Sequence, residues 1–243
     1  MSGHSKWSQI KRQKEKTDIK KGLTFTKLTN AIIIAVREGG GITDPNQNFR
    51  LRLAADAARV SNMPKENIER AIQRASKKGG GGIEEVIYEG FAPGGVSVIV
   101  EAATDNSQRT TAEIKNLFRK VGAIFGQPGS VSYQFSKVGR IVIEKNGKTL
   151  DEIFSIAVEN GAEEIGEEDD SVIVYTKASD LSKVRDKLME SGSKIVNAGL
   201  TRKPTITTEV SDPLQLKKIK NFLETINSLE DVQNVYSNLK ELL

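Results

Sequence analysis

The chain has 243 residues, enough for two or three domains, with 37% hydrophobic residues, 28% charged residues and a formal net charge of +4. It contains no cysteine and one histidine, which excludes disulfide bonds and thiolate metal sites. No apolar run approaches the 18 or so residues of a membrane-spanning helix, so we expect no membrane partner.

Positive charge is concentrated in the first third of the chain. Residues 1–80 carry 17 Lys and Arg against 7 Asp and Glu, a net charge of +10, whereas residues 81–243 carry 19 against 25, a net charge of −6. This distribution indicates that one end of the chain meets a polyanion, although a well-solvated Lys-rich helix gives the same pattern. Residues 1–22 lack the apolar stretch of a secretory signal, so we expect a mature, cytoplasmic protein.

The basic N-terminal segment also carries an aromatic ring. Trp7 lies among lysines, and nucleic-acid-binding surfaces combine backbone-neutralising cations with stacking rings. Packing of Trp7 on a helical bundle is an equally good interpretation. We predict a nucleic-acid-binding surface formed by Lys6, Trp7, Lys11, Arg12, Lys14, Lys16, Lys20, Lys21 and Lys27.

Residues 1–78 have the periodicity of helices. Apolar residues recur at helical spacing within residues 25–36, 49–60 and 68–75, which predicts a small three-helix bundle. The sequence GGGG at 79–82 predicts a linker, since the Gly-Lys-Ser/Thr of a phosphate-binding loop does not follow it.

After residue 82 the periodicity changes to strands alternating with helices. Residues 139–203 give the order β-α-β-β-α-β of one ferredoxin-like unit. The flanking segments 95–136 and 205–237 each give β-α-β, with strands predicted at SVSYQF and TITTEV. Joined, these two halves make a second unit of the same type.

The predicted fold class is therefore α+β, with an N-terminal helical bundle followed by two ferredoxin-like α/β domains, one inserted into the other. Two sequential α/β domains cut near residue 137 are the alternative. The predicted domains are residues 1–80, residues 81–136 with 205–243, and the inserted residues 137–204.

The sequence favours a protein without catalytic residues, metal or cofactor. His4, the sole histidine, lies in the polar N-terminal segment, which leaves a Ser- or Cys-based nucleophile without a plausible base. The acidic sequence EEIGEEDD at 163–170 matches no Ca²⁺-binding loop and is more typical of a solvated turn than of a cation site.

The sequence TDNSQRT at 104–110 joins a buried strand to a helix. Asp105, Asn106 and Ser107 are residue types that cap helices, and capping is the default interpretation. Helix N–H groups together with Arg109 also suit an anion. Asp105, Asn106 and Arg109 are therefore a candidate anion or ligand site.

Several stretches together resemble the YebC/PmpR family, which also includes the mitochondrial translational activator of cytochrome c oxidase subunit I. They follow in order along essentially the whole chain: GHSKWSQIKRQKEKTD, FTKL, NMPKENIERAI, YEGFAPGGVSVIVE, TDNSQRTTAEI, GSVSYQF and DVQNVYSN. The resemblance implies a helical domain, two interleaved α/β domains and a cytoplasmic, non-enzymatic role in gene expression. It implies DNA-binding transcriptional regulation or a role in translation at the ribosome.

The class of nucleic acid stays open at this point. The basic segment shows no helix-turn-helix spacing, and ribosomal RNA recognised through shape and phosphates suits the same surface as duplex DNA. A ligand-responsive regulator, with a small molecule between the two α/β units, is the less favoured alternative. Oligomeric state is not encoded in any pattern of the sequence.

Overall fold

The structure, a computed structural model, describes residues 3–77, 82–145, 149–168 and 170–240, with side chains from residue 21 onward. This part of the chain contains seven α-helices and two four-stranded antiparallel sheets, so the predicted α+β class is confirmed. The helices are α1 (Gly3–Glu38), α2 (Phe49–Val60), α3 (Lys65–Ser76), α4 (Ser107–Val121), α5 (Leu150–Asn160), α6 (Leu181–Glu190) and α7 (Pro213–Asn227). The strands are β1 (Glu84–Ala92), β2 (Val96–Thr104), β3 (Ile124–Phe125), β4 (Phe135–Glu144), β5 (Ala162–Glu168), β6 (Ser171–Lys177), β7 (Ile195–Pro204) and β8 (Val232–Ser237).

The chain forms two compact units. One comprises Met1–Val86, Ala102–Thr110 and Ser228–Gln233, and the other comprises Ile87–Glu101, Thr111–Asn227 and Asn234–Leu243. Within the described ranges, no helix has the length and apolar character needed to cross a membrane.

Helices α1, α2 and α3 form the predicted bundle in the first unit. The bundle excludes water from large aliphatic side chains of α1, such as Ile32 and Val36, and alanines on α2 and α3 allow the helices to approach closely. Gly22 lies within α1, so the cationic segment and the core-forming segment belong to one continuous helix. The buried core residues of this unit are Ile32, Ile33, Ala35, Val36, Leu51, Ala55, Ala58, Met63, Ile68, Ala71, Ala75, Ile83 and Ala103.

Asn48 fixes the connection between α1 and α2. Its side-chain oxygen accepts a hydrogen bond from the Leu51 backbone N–H at 3.1 Å, which caps α2. Its Nδ2 donates to the carbonyl oxygens of Ala35 at 2.8 Å and Ile42 at 3.1 Å. Gly39 is required beside it, because a Cβ at that position would lie 2.2 Å from Asn48 Nδ2. The turn therefore satisfies carbonyls at the end of α1 and an N–H at the start of α2.

One sheet has the ferredoxin-like order that the sequence predicts. Its strands run β5-β6-β4-β7, and β4 pairs antiparallel with both β6 and β7. Helix α5 connects β4 to β5, and α6 connects β6 to β7, which completes β-α-β-β-α-β. All four strands come from residues 135–204.

The other sheet is ferredoxin-like in strand order, but one strand is not the predicted one. Its order is β3-β1-β2-β8, and β1 occupies the position that β6 occupies in the first sheet described. The segment TITTEV at 205–210, predicted for that position, makes only an isolated bridge between Thr208 and Leu239. The hairpin-like connection at Pro93–Gly95 brings β1 beside β2 at low loop-closure cost, which leaves no place for a later strand. The domain boundaries themselves stay a prediction.

The segment SVSYQF is also not the predicted strand, because a buried carboxylate takes its backbone donors. Glu89, on β1, is 5% exposed. Its Oε1 accepts from the Gly129 N–H at 2.9 Å, and its Oε2 accepts from Val131 at 2.7 Å and Ser132 at 2.9 Å. A 3₁₀ turn at Ser132–Gln134 follows, and the strand begins only at Phe135.

A second carboxylate, Glu101 on β2, connects the two sheets within the second unit. Its Oε1 lies 2.7 Å from Arg202 Nε on β7. Its Oε2 accepts from Asn234 Nδ2 at 3.2 Å and from the Tyr236 hydroxyl at 3.1 Å, both on β8. Burial and the adjacent Glu101 carboxylate raise the pKa of Tyr236 well above its ordinary value, so its hydroxyl stays a donor.

We expect Glu89→Gln to lower the free energy of unfolding by about 1–3 kcal/mol at pH 7, because one amide oxygen replaces a carboxylate that accepts three N–H bonds. Burial alone would raise the pKa of Glu89, but the N–H donors outweigh it and hold the pKa below its ordinary value. The carboxylate therefore stabilises the fold at pH values above the pKa that Glu89 has in the unfolded chain. This contribution is lost as the pH falls through the lower pKa of Glu89 in the folded protein. Urea unfolding from pH 7 to pH 3 measures the difference in free energy of unfolding between wild type and variant, which shrinks at low pH.

The control is Glu85→Gln, a change at an exposed position on β1. An equal loss of stability in both variants would contradict a stabilising role of the Glu89 carboxylate.

A double-mutant cycle tests the contact between the sheets. We expect Glu101→Ala and Arg202→Ala to show a coupling energy of about 1–3 kcal/mol by urea unfolding. Both side chains are largely buried, and either truncation leaves the other charge buried without its partner. The control cycle uses Glu209 and Lys240, an exposed pair 3.1 Å apart, with an expected coupling below about 1 kcal/mol. Equal coupling in the two cycles would show that the contact is only a surface ion pair.

Candidate nucleic-acid interface

Two of the predicted cationic residues have described side chains. Lys21 is exposed, and its Nζ lies 5.7 Å from the ring centroid of Phe25, one helical turn away. Lys27 is half-buried, and this desolvation lowers its pKa. The side chains of the other predicted residues lie outside the described ones: Lys6, Trp7, Lys11, Arg12, Lys14, Lys16 and Lys20.

The backbone of α1 nevertheless decides which of these positions share a side of the helix. At 3.6 residues per turn, positions 11, 14 and 21 recur on the side of α1 that carries Phe25. Positions 12, 16, 20 and 27 recur on the opposite side. The predicted positions thus lie on two sides of α1, and their assignment to a binding surface stays a prediction. Lys21 is a described cation on the side of Phe25.

Two arginines that the sequence analysis did not single out complete the site. Arg70 and Arg74 lie one turn apart on α3, and both are exposed. Among the described side chains, neither guanidinium has a carboxylate within ion-pair distance. The i, i+4 spacing of the two arginines could have indicated a cationic site in the sequence. However, basic residues near a helix C-terminus are also explained by their favourable interaction with the helix dipole.

Several other described cations of the bundle have partners, unlike Arg70 and Arg74. Arg59 Nη1 lies 2.6 Å from Asp56 Oδ1, and Lys65 Nζ lies 3.6 Å from Glu69 Oε1. Arg50 pairs with Glu38, Arg37 donates to the Ile83 carbonyl, and Arg52 lies 5.2 Å from the Phe49 ring centroid. The two arginines of α3 are therefore available to an external anion.

Arg70 and Arg74 border an open groove of about 230 Å³ between α1 and α3. Its floor is apolar, since Met63 and Ala71 are 5% and 3% exposed. Half-buried Phe25 and Thr29 line it from α1, and half-buried Asn67 lines it from α3. We call this set of seven residues, which includes the two arginines, the α1–α3 groove. An apolar floor with a cationic border can hold an anionic ligand that has a flat apolar part.

The candidate anion site at the start of α4 has a different internal arrangement. Asn106 Oδ1 accepts from the Arg109 backbone N–H at 3.1 Å, which is a helix cap. The Arg109 guanidinium lies 3.0 Å from Asp105 and 2.9 Å from Asp231. Asp231 also accepts from the Thr110 hydroxyl at 2.6 Å. Because two carboxylates already compensate Arg109, these contacts favour the capping interpretation, and anion binding here stays a prediction.

The acidic sequence at 163–170 is the edge strand β5 rather than a turn over its described part, and three of its carboxylates are paired. Glu167 lies 3.2 Å from Lys145, Glu168 lies 3.2 Å from Arg140, and Glu164 pairs with Lys203. In the part of the chain that the structure describes, no group of three or more His, Cys, Asp or Glu is placed to hold a metal ion.

Comparison with known proteins places both parts of the chain in one family. Residues 5–78 match the family described as TACO1/YebC protein N-terminal domain, and residues 83–239 match TACO1/YebC second and third domain. Relatives named probable transcriptional regulatory proteins include one from Thermoanaerobacter pseudethanolicus, 44% identical over 242 residues and covering 99% of this chain and 97% of the relative. Another, from Roseiflexus castenholzii, is 46% identical over 247 residues and covers 99% and 95%.

A solved structure supports the same assignment. The crystal structure of a conserved hypothetical protein from Aquifex aeolicus is similar to this chain with a TM-score of 0.84 and 40% identity, covering 90% of each chain. The predicted family resemblance is confirmed. The chain belongs to the TACO1/YebC family.

Proposed function

We propose that this protein is a non-enzymatic regulator of gene expression that binds nucleic acid through its helical bundle. The observation that carries the proposal is the exposed pair Arg70 and Arg74, which lack carboxylate partners among the described side chains and border a groove with an aromatic wall. The names of the relatives, probable transcriptional regulatory proteins, support a regulatory role.

The electrostatic argument concerns phosphates rather than base sequence. A cation that neutralises a phosphate releases condensed counterions, so affinity falls linearly with salt on a log–log scale, by about −0.9 per contacted phosphate on duplex DNA. The bundle and its N-terminal helix carry a net charge of +10, which predicts steep salt dependence and broad sequence tolerance. Binding of this kind suits DNA and structured RNA equally.

Two targets fit the proposal: promoter DNA, for a transcriptional regulator, and ribosomal RNA, for a translation factor. Cosedimentation with ribosomes in sucrose gradients and gel shifts on promoter DNA, at matched salt, separate them. A cosedimenting peak without a salt-sensitive gel shift assigns the protein to translation, and the reverse assigns it to transcription.

We expect Arg70→Gln/Arg74→Gln to weaken binding to both DNA and structured RNA about tenfold or more at 50 mM salt. The log–log salt slope becomes shallower by roughly two contacts, near 1.8 on duplex DNA, because two phosphate neutralisations are lost. Fluorescence anisotropy over a salt series measures both. The matched control is Lys217→Gln/Lys220→Gln, which removes two exposed cations about one turn apart on α7 that also have no carboxylate within ion-pair distance among the described side chains. Equal effects of the two double variants would contradict a site on the bundle.

The N-terminal segment is tested separately with Lys11→Gln, Arg12→Gln, Lys14→Gln and Lys16→Gln combined. We expect weaker binding across unrelated sequences and a shallower salt slope, because these cations neutralise phosphates without reading bases. Circular dichroism confirms that the variant keeps its helix content. Wild-type affinity of this quadruple variant at low salt would remove the segment from the interface.

A further inference from the structure

The α1–α3 groove has the size and lining of a site for one planar group. Its volume of about 230 Å³ is several times the roughly 30 Å³ that a water molecule occupies in the liquid, so the groove admits a ring rather than solvent alone. The buried floor of Met63 and Ala71 favours an apolar face, and Phe25 adds an aromatic wall. A nucleobase presents such a face.

The polar groups of the groove are arranged around this apolar floor. Asn67, half-buried on α3, offers an amide that donates and accepts hydrogen bonds, which is the pairing that a base edge requires. Arg70 and Arg74 start about 6 Å apart along the helix axis, since four residues rise by 1.5 Å each. Both arginines are exposed at the border of the groove. From this position they can contact the phosphates on either side of a base that occupies the groove.

We propose that the α1–α3 groove captures a single unpaired nucleotide, with its base against Phe25 and Met63, its edge at Asn67 and its flanking phosphates at Arg70 and Arg74. A base inside a duplex has both faces covered by stacking, so only a bulged, looped or single-stranded base can enter a groove of this kind. This inference rests on the proposed function and deepens it, because it selects unpaired nucleic acid over uniform duplex. RNA and DNA both supply the ligand chemistry.

The test uses the full chain and four probes: an RNA hairpin with one bulged 2-aminopurine, the same hairpin without the bulge, and the two DNA equivalents. We expect the wild type to bind a bulged probe at least tenfold more tightly than its paired counterpart, as stacking of one base on an aromatic ring allows. The 2-aminopurine emission falls on binding, because the base becomes stacked. A preference in the RNA pair or in the DNA pair alone identifies which source the groove takes.

Two variants locate the preference in the groove. Phe25→Leu keeps an apolar side chain and removes the ring, and Asn67→Ala removes the amide. We expect each to reduce the bulge preference to about twofold, because the bulged base loses its stacking partner or its edge contact. Gln73→Ala, an exposed change on α3 outside the groove, keeps the full preference.

Each outcome decides the proposal. Equal wild-type affinity for bulged and paired probes, with normal salt dependence, overturns nucleotide capture and leaves the proposed function standing. A preference that survives in Asn67→Ala and in Phe25→Leu overturns it too, even if one variant is destabilised. Absence of binding to every probe overturns both proposals.

Discussion

Burial of one apolar stripe of α1 fixes where that helix places Phe25, Thr29 and Lys21 relative to α3. Ile32 and Val36 on this stripe have no exposed surface, and they pack where alanines of α2 and α3 leave room. A continuous helix cannot rotate one part without the rest, so the same burial points Phe25 toward α3 and places Lys21 a turn beyond it. The groove is therefore a by-product of core packing at the edge of the bundle.

Helices and strands with strong periodicity could be predicted from the sequence, but strand partnership in one sheet could not. The unit within residues 139–203 was predicted in the right order because all its elements are adjacent in the chain. The other sheet takes β1, a segment that lies outside the two predicted β-α-β halves at 95–136 and 205–237. Periodicity predicts that a segment can form a strand. It does not predict which of two such segments occupies a given position in the sheet.

The charge of the sequence indicated the bundle as a binding surface, which stays a prediction. Lys21 was among the predicted residues and its Nζ lies 5.7 Å from the Phe25 ring centroid, whereas Arg70 and Arg74 were not singled out. Their availability depends on the absence of a carboxylate within ion-pair distance among the described side chains, which is a property of tertiary structure. Arg109 shows the converse, because its sequence suggested an anion site and its contacts supply two carboxylates from separate parts of the chain.

Pairing also decides which charges act at a distance. Within the second unit, the carboxylates of β5 lie against Lys145, Arg140 and Lys203, so their fields cancel over a few ångströms and contribute little beyond the Debye length of about 8 Å at physiological salt. Arg70 and Arg74 have no such cancellation among described side chains. Within the bundle, we therefore expect a polyanion to be attracted more strongly by these two arginines than by Arg59 or Lys65, which already pair with Asp56 and Glu69.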